Sequence, residues 1–449
     1  MRTRSSLNKV SAGMNLGSFG KAADLKSRIW FLLVMLVIYR LGTYIPLPGI
    51  NTLALNNLTN SQGGGVLGMF NLFTGGALGR MSIFALNIMP YITASIIMQL
   101  MTVVSSEIAA MKKEGEQGRK KINQYTRYLT VILALFQGYG IAVGIENIQT
   151  PQGPLVFDHG LYFRLLSMIS LTGGTVLVMW IAEQINVRGI GNGSSIIIFA
   201  GIVSGLPSAM AAFFEMGRTG TVSTIFMLII FALVAGLVSF IIFMEKAQRR
   251  ILVSYPKRQV GNKMFGGDSM HLPLKLNTSG VIPAIFASSL LLFPLTIAGF
   301  SQTYEPGSWK QIVSLYLAHG KPLYIALYAF MIAFFCFFYT SVIFNPEDTA
   351  ENLRKNGGVV LGRRPGKHTA EYLDYVLTRV TVLGALYMIL VCVIPEILIS
   401  EYQIPFYLGG TSLLIVVNVV MDLFTQVQTH LLSTQYEGLI KKARLRGRV

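Results

Sequence analysis

Met89-Pro90-Tyr91-Ile92-Thr93-Ala94-Ser95 and Ile282-Pro283-Ala284-Ile285-Phe286-Ala287-Ser288 decide how this sequence is read. Aligned on proline, they share isoleucine, alanine and serine in one register. Each lies in an apolar run of about 20 residues, the length that crosses a bilayer. A second pair repeats the relation: Gly193-Ser194-Ser195-Ile196-Ile197-Ile198 matches Gly410-Thr411-Ser412-Leu413-Leu414-Ile415. Working outward gives ten candidate spans, at 28–47, 78–102, 126–145, 161–183, 194–214, 222–244, 278–300, 321–344, 379–399 and 406–428. The matched stretches fall in spans 2 and 7 and in spans 5 and 10. An offset of five is odd, so the two halves must have inverted topology. A proline inside a span frees a carbonyl and bends the helix, which is tolerable only where protein or a water-filled cavity satisfies the backbone again. Spans 2 and 7 are therefore expected to flank an internal cavity. The small residues on these spans permit close helix approach.

Composition agrees with a membrane solvent. The chain has 449 residues, 52% hydrophobic and 13% charged, about half the charged content of soluble domains. Lys and Arg exceed Asp and Glu by 37 to 20, an excess that suits anionic lipids, RNA or an acidic partner. The basic residues fix an orientation. With the N-terminus inside, 31 fall on the cytoplasmic side or at inner span ends, 5 fall outside (Arg80, Arg164, Arg218, Lys310, Lys321), and Arg40 lies within span 1. Both termini are expected in the cytoplasm. The expected divisions are a tail at 1–27, a first half at 28–214, a second half at 215–428 and a basic tail at 429–449. The N-terminal tail lacks the apolar core of a removable signal peptide. Two long basic cytoplasmic loops, 245–277 and 345–378, are long enough to project from the membrane and to carry function.

Between spans 1 and 2, Val66-Leu67-Gly68-Met69-Phe70-Asn71-Leu72-Phe73 is apolar but far too short to span, with Gly63, Gly64 and Gly65 before it and Gly75 and Gly76 after it. It reads as a re-entrant segment or plug, or else as an interfacial helix on the outer leaflet. Catalytic chemistry is not evident. The five histidines are scattered without metal-ligand spacing. Gly189-Ile190-Gly191-Asn192-Gly193 lacks the strand context or the Lys-Ser/Thr of a phosphate loop. Cys336 and Cys392 read as buried apolar residues. Carboxylates in the spans are Glu183 and Glu245 at inner ends and Asp422 late in span 10, so an ion-coupled carrier with midplane charges is disfavoured. A secondary transporter with five-plus-five inverted repeats is the main alternative to a channel.

Pro46-Leu47-Pro48-Gly49, Met69-Phe70-Asn71-Leu72-Phe73, Pro90-Tyr91-Ile92, Lys112-Lys113-Glu114-Gly115-Glu116, Gln124-Tyr125-Thr126-Arg127-Tyr128, Arg188 to Gly193, Gly280-Val281-Ile282-Pro283, Phe344-Asn345-Pro346 and Pro405 to Ser412 together resemble the SecY family of protein-translocation channels. The resemblance covers nearly the whole chain after about residue 15. It implies an all-α polytopic membrane protein, with ten transmembrane helices in two inverted five-helix halves around a central pore and a short re-entrant plug helix. Unfolded polypeptide would cross the centre, or leave between spans 2–3 and 7–8 into lipid. Ile88, Ile92, Ile198, Ile285 and Ile415 match the family's pore ring, and 66–73 matches the plug. The basic loops, with Lys257, Arg258, Lys263, Arg363 and Arg364, match the docking surface for the SecA motor ATPase and the ribosome. The implied partners also include the small membrane subunits SecE and SecG, signal sequences and unfolded secretory proteins, the accessory proteins SecD, SecF and YidC, and anionic lipids, at the plasma (inner) membrane of a bacterium. No cofactor, metal or catalytic residue is implied. Leu361 and Arg363 depart from the family pattern where proline and isoleucine are usual, and Asn262 stands where a basic residue is common. Arg364-Pro365-Gly366 keeps it.

Overall fold

The computed structural model describes residues 23–51, 74–146, 149–150, 153–157, 159–220, 223–255, 258–260, 263–265, 269–299, 321–402 and 409–446. Its frame is helical: α1 Ala23–Gly42, α2 Met89–Val104, α3 Ser106–Lys113, α4 Glu116–Glu146, α5 Leu161–Arg188, α6 Gly193–Arg218, α7 Thr224–Lys246, α8 Ile282–Gly299, α9 Pro322–Ile343, α10 Pro346–Lys355, α11 Lys367–Tyr402 and α12 Gly410–Arg446. Each predicted span falls at least partly on one of these helices. Among the described residues, seven helices are long and apolar enough to cross a membrane alone, and α2 with α3 passes as a pair bent by 99°. Helix α1 carries Asp24, Lys26, Arg28 and Arg40 within its 20 residues, and that charge keeps it out of those seven. Helix α7 has one buried residue, Ile241, and Ile225, Leu228, Ile229, Phe240 and Phe243 are exposed. An apolar face of that extent is stable in lipid and costly in water.

Two sequence expectations need correction. Span 2 is not helical from residue 78, because residues 74–88 form consecutive turns and α2 begins at Met89. Met81 and Asn87 adopt left-handed backbone, φ 43° and 50°. Main-chain pairing with the segment after α1 holds this stretch: Leu47 N–H donates to Met81 O at 2.8 Å and Ile83 N–H to Ile45 O at 3.0 Å. Irregular backbone at membrane depth is stable only with such partners. The second correction concerns the prolines. Pro90 and Pro283 do not bend a helix in its middle, because each is the second residue of its helix. There the missing N–H is one that would have had no helical acceptor. The bend is thus a break, with a turn segment on one side and a half-helix on the other.

The main core gathers side chains from nine helices, including Tyr39, Ile92, Ile181, Ile197, Ile241, Phe286, Tyr328, Val391 and Leu414. A second cluster packs Leu47, Leu78, Met81 and Leu86 of the turn segments onto Ile141, Phe163 and Leu171 of α4 and α5.

The two basic loops are not separate excursions. Strands β3 (Gln248–Ser254) and β6 (Ser269–Lys275) pair antiparallel in register from Gln248↔Lys275 to Ser254↔Ser269, and β7 (Val359–Val360) from the second loop adds to β3 at Val253↔Val360. The sheet order is β6-β3-β7. Ile251, Val253, Leu274, Ala350, Val360, Ala370 and Leu373 form its own small core. Helix α10 joins this unit through Ala350, and Asn345 caps its start, its Oδ1 accepting from the main-chain N–H of Glu347 at 3.0 Å. Sequence reading treated the two segments as loops because seven-residue strands leave little periodic signal. The shorter strands are β1 Gln149–Thr150 with β2 Gly153–Pro154, and β4 Arg258–Val260 with β5 Lys263–Phe265.

Candidate functional site

The repeat seen in the sequence has a counterpart in space. The repeat-related half-helices α2 and α8 touch each other, and so do the repeat-related helices α6 and α12. Gly193 opens α6 and Gly410 opens α12. A Cβ on Gly193 would lie 2.0 Å from the carbonyl oxygen of Ala182 on α5, and one on Gly410 would lie 2.0 Å from that of Val391 on α11. Matched glycines therefore make the same contact, each seating its helix start on the backbone of the preceding helix, where only glycine fits.

Helix starts are fixed by polar groups around these glycines. Asn186 Oδ1 accepts from Gly193 N–H at 2.7 Å, and Asn192 Oδ1 accepts from Ser194 N–H at 3.1 Å. At the other site Tyr328 on α9 and Thr411 on α12 share a hydrogen bond between hydroxyls. The turn before α6 is held by α12, since Gln426 Oε1 accepts from Gly191 N–H at 2.7 Å. Glu245 at the end of α7 accepts from Asn277 Nδ2 at 2.6 Å and from Asn418 Nδ2 at 3.1 Å, tying together α7, the entry to α8 and α12.

Within this frame lie the five isoleucines. Ile88 is the residue just before α2 and is fully buried, and Ile92 follows one turn later, its N–H donating to Ile88 O at 3.1 Å. Ile198 on α6 and Ile415 on α12 are buried. All four belong to one hydrophobic cluster, and half-buried Ile285 on α8 packs against it. The cluster near them is aliphatic and aromatic. Its chemistry is steric: branched side chains offer no hydrogen bond to water or ions.

Residues 66–73, the plug segment, and Lys257 lie outside the described residues. Arg258 is on β4 and Lys263 on β5. Arg363 and Arg364 are exposed in the turn between β7 and α11, with Gly362 and Gly366 in left-handed backbone on either side. Arg363 stacks on Tyr372 at 5.2 Å, and Arg364 O accepts from Thr369 Oγ1 at 2.8 Å. Leu361 at this tip is 70% exposed. Among the described residues no group of His, Cys, Asp and Glu could hold a metal ion.

Sequence reasoning passed over Glu396. It lies within span 9, next to Pro395, and is buried at 4% exposure in α11. Its signal was available as a carboxylate inside an apolar run, but it sits near the span's outer end. The spatial convergence of Arg40 and Arg80 on one turn was also missed, because 40 residues separate them in the sequence.

The SecY family model matches residues 82–424. The protein translocase subunit SecY of Rickettsia typhi is 56% identical over 424 residues, covering 94% of this chain and 98% of that protein. A solved structure described as a protein conducting channel aligns with TM-score 0.63 at 18% identity, over 90% of this chain and 92% of that one. The channel of the canine ribosome-channel complex from the endoplasmic reticulum aligns with TM-score 0.62 at 18% identity, with the same coverage. At such identities the structural likeness concerns the fold.

Proposed function

The chain belongs to the SecY family, and we infer that it is the pore-forming subunit of a protein-translocation channel that passes unfolded polypeptide across a membrane. One observation carries the placement of the passage: two repeat-related half-helices, broken at matched prolines, bring Ile92 and Ile285 to the same aliphatic cluster as Ile88, Ile198 and Ile415. Our reading makes these five the constriction. A narrow aliphatic collar dewets and so blocks ions, yet its side chains yield to any passing residue. The seam where α2 touches α8 is the proposed lateral exit into lipid, because it joins the two halves, 28–214 and 215–428, through helices that each begin at a turn segment.

The chain supplies a passage, and we place the energy source in partners. The three-stranded unit with the neighbouring turn that bears Arg363 and Arg364, together with the β4-β5 pair that carries Arg258 and Lys263, is the proposed docking surface for the SecA motor and the ribosome. The exposed Arg363 and Arg364 can bind acidic groups through planar, forked contacts. SecE and SecG are the proposed companion subunits, and residues 66–73 the proposed plug. The bias of basic residues supports cytoplasmic termini, and the likeness to SecY subunits of bacteria supports the plasma membrane of a bacterium as the setting. Site-specific photo-crosslinking tests the passage. A stalled secretory polypeptide should crosslink to probes at positions 92, 285 and 415. Crosslinking confined to lipid-facing positions such as Ile229 would contradict the reading.

A further inference from the structure

Arg40 and Arg80 have no role in the reading above, yet both reach the same main-chain turn. Gly75 O accepts from Arg40 Nη1 at 2.7 Å and from Arg80 Nη2 at 3.0 Å, and Gly76 O accepts from Arg80 Nε at 3.1 Å. Arg40 also donates to Ser204 Oγ at 3.2 Å and to the Tyr44 hydroxyl at 3.2 Å. Both guanidinium groups lie over the Tyr44 ring, at 5.0 and 4.1 Å from its centroid. Among the described residues neither has a carboxylate within ion-pair distance. Two like charges are therefore held together by neutral carbonyls and one aromatic face, a strong but releasable arrangement.

The turn they grip is pressed onto α6. Gly75 is buried in left-handed backbone, φ 65°, and a Cβ there would lie 2.8 Å from Ser204 Oγ and 3.1 Å from Gly201 Cα. Gly201 and Ser204 are three and six residues beyond Ile198 on α6. Gly75 lies in the same turn segment, 74–88, that ends at Ile88. We propose that Arg40, Arg80 and Tyr44 form a clamp that sets the resting position of Ile88 against Ile198, so that its release widens the constriction. They are positioning residues, and the proposal rests on the reading of the five isoleucines as the constriction.

Resting ion conductance of the full-length channel, with its native membrane partners in planar bilayers, tests this. Arg40→Gln with Arg80→Gln should raise it about ten-fold, since losing one charge-assisted hydrogen bond is worth at least that factor in a two-state equilibrium. Arg40→Lys with Arg80→Lys should recover part of the seal. Tyr44→Ala, at an exposed position, should leak with an unchanged thermal midpoint, and it decides the matter if the arginine variants do not fold. Ile285→Ser is the control. If it leaks while the folded clamp variants stay tight, the clamp is wrong and the constriction stands. If neither leaks, the constriction reading itself falls. A leak that comes only with a lowered midpoint, and that Gly193→Ala reproduces, overturns the clamp as general loosening.

Discussion

Replacing Gly193 or Gly410 with alanine tests whether the two helix starts are seated as equivalent elements. The new Cβ would stand 2.0 Å from a carbonyl oxygen in each case, against 3.4 Å for the closest ordinary contact, so each helix start must move about 1.4 Å from its neighbour. A gap of 0.5–1 Å already forfeits roughly a quarter to a half of each dispersion contact, and overpacking of this kind costs about 1–3 kcal/mol. The gain in helix propensity, at most about 1 kcal/mol, offsets part of it. A net loss of about 1–2 kcal/mol is expected for each variant. Cys336 and Cys392 are free and buried, so a thiol-reactive dye reports unfolding in mild detergent. Both variants should lower the midpoint. Gly410→Ala should also speed labelling below the midpoint, because its Cβ would stand 2.5 Å from Cys392 Cα. Gly173→Ala is the control, with nothing within 4 Å of its Cβ. If Gly193→Ala and Gly410→Ala melt with the Gly173→Ala midpoint, the close seating of α6 on α5 and α12 on α11 is refuted.

Arg364→Glu should abolish motor-driven export at normal protein levels, because it reverses the charge at the exposed tip, and Arg363→Glu should matter less, since Arg363 is stacked on Tyr372; an in vitro export assay with inverted vesicles checks both. Glu245→Ala should lower the thiol-dye midpoint by leaving the amides of Asn277 and Asn418 without their carboxylate, at a cost of about 1–3 kcal/mol, and adding Asn418→Leu should cost less than the sum of the single changes. Deleting 66–73 should raise resting conductance without lowering the yield of folded protein, and a cysteine at position 70 that labels freely from outside in every state would favour the interfacial-helix alternative.

Much of the frame was legible because apolar length and proline-aligned repeats survive in sequence. Pro90 and Pro283 marked the right helices, but their effect was misjudged. A proline is equally compatible with a kink and with a first turn, and at Pro90 the main-chain pairing of 45–47 with 81–83 holds the preceding segment out of the helix. The β6-β3-β7 unit was illegible for a different reason. Its third strand, Val359–Val360, is two residues long and is recruited from about 100 residues away. The isoleucines came from the repeat and from resemblance together, since Ile285 and Ile415 have no local feature that separates them from other apolar positions. Arg40 was visible as an impurity in span 1, whereas its partner turn at Gly75 could be found only in three dimensions.

Resting conductance of ring variants in planar bilayers tests the central claim most directly. Half-buried Ile285→Ser comes first, then Ile92→Ser with Ile285→Ser, because a large-to-small change at a buried site costs about 2–5 kcal/mol and the fold must be checked by its thermal midpoint. Serine supplies hydroxyls that wet the collar, so folded variants should conduct ions at rest and accept weaker signal sequences. Folded double variants as tight as the parent channel would mean that the passage does not run through these isoleucines.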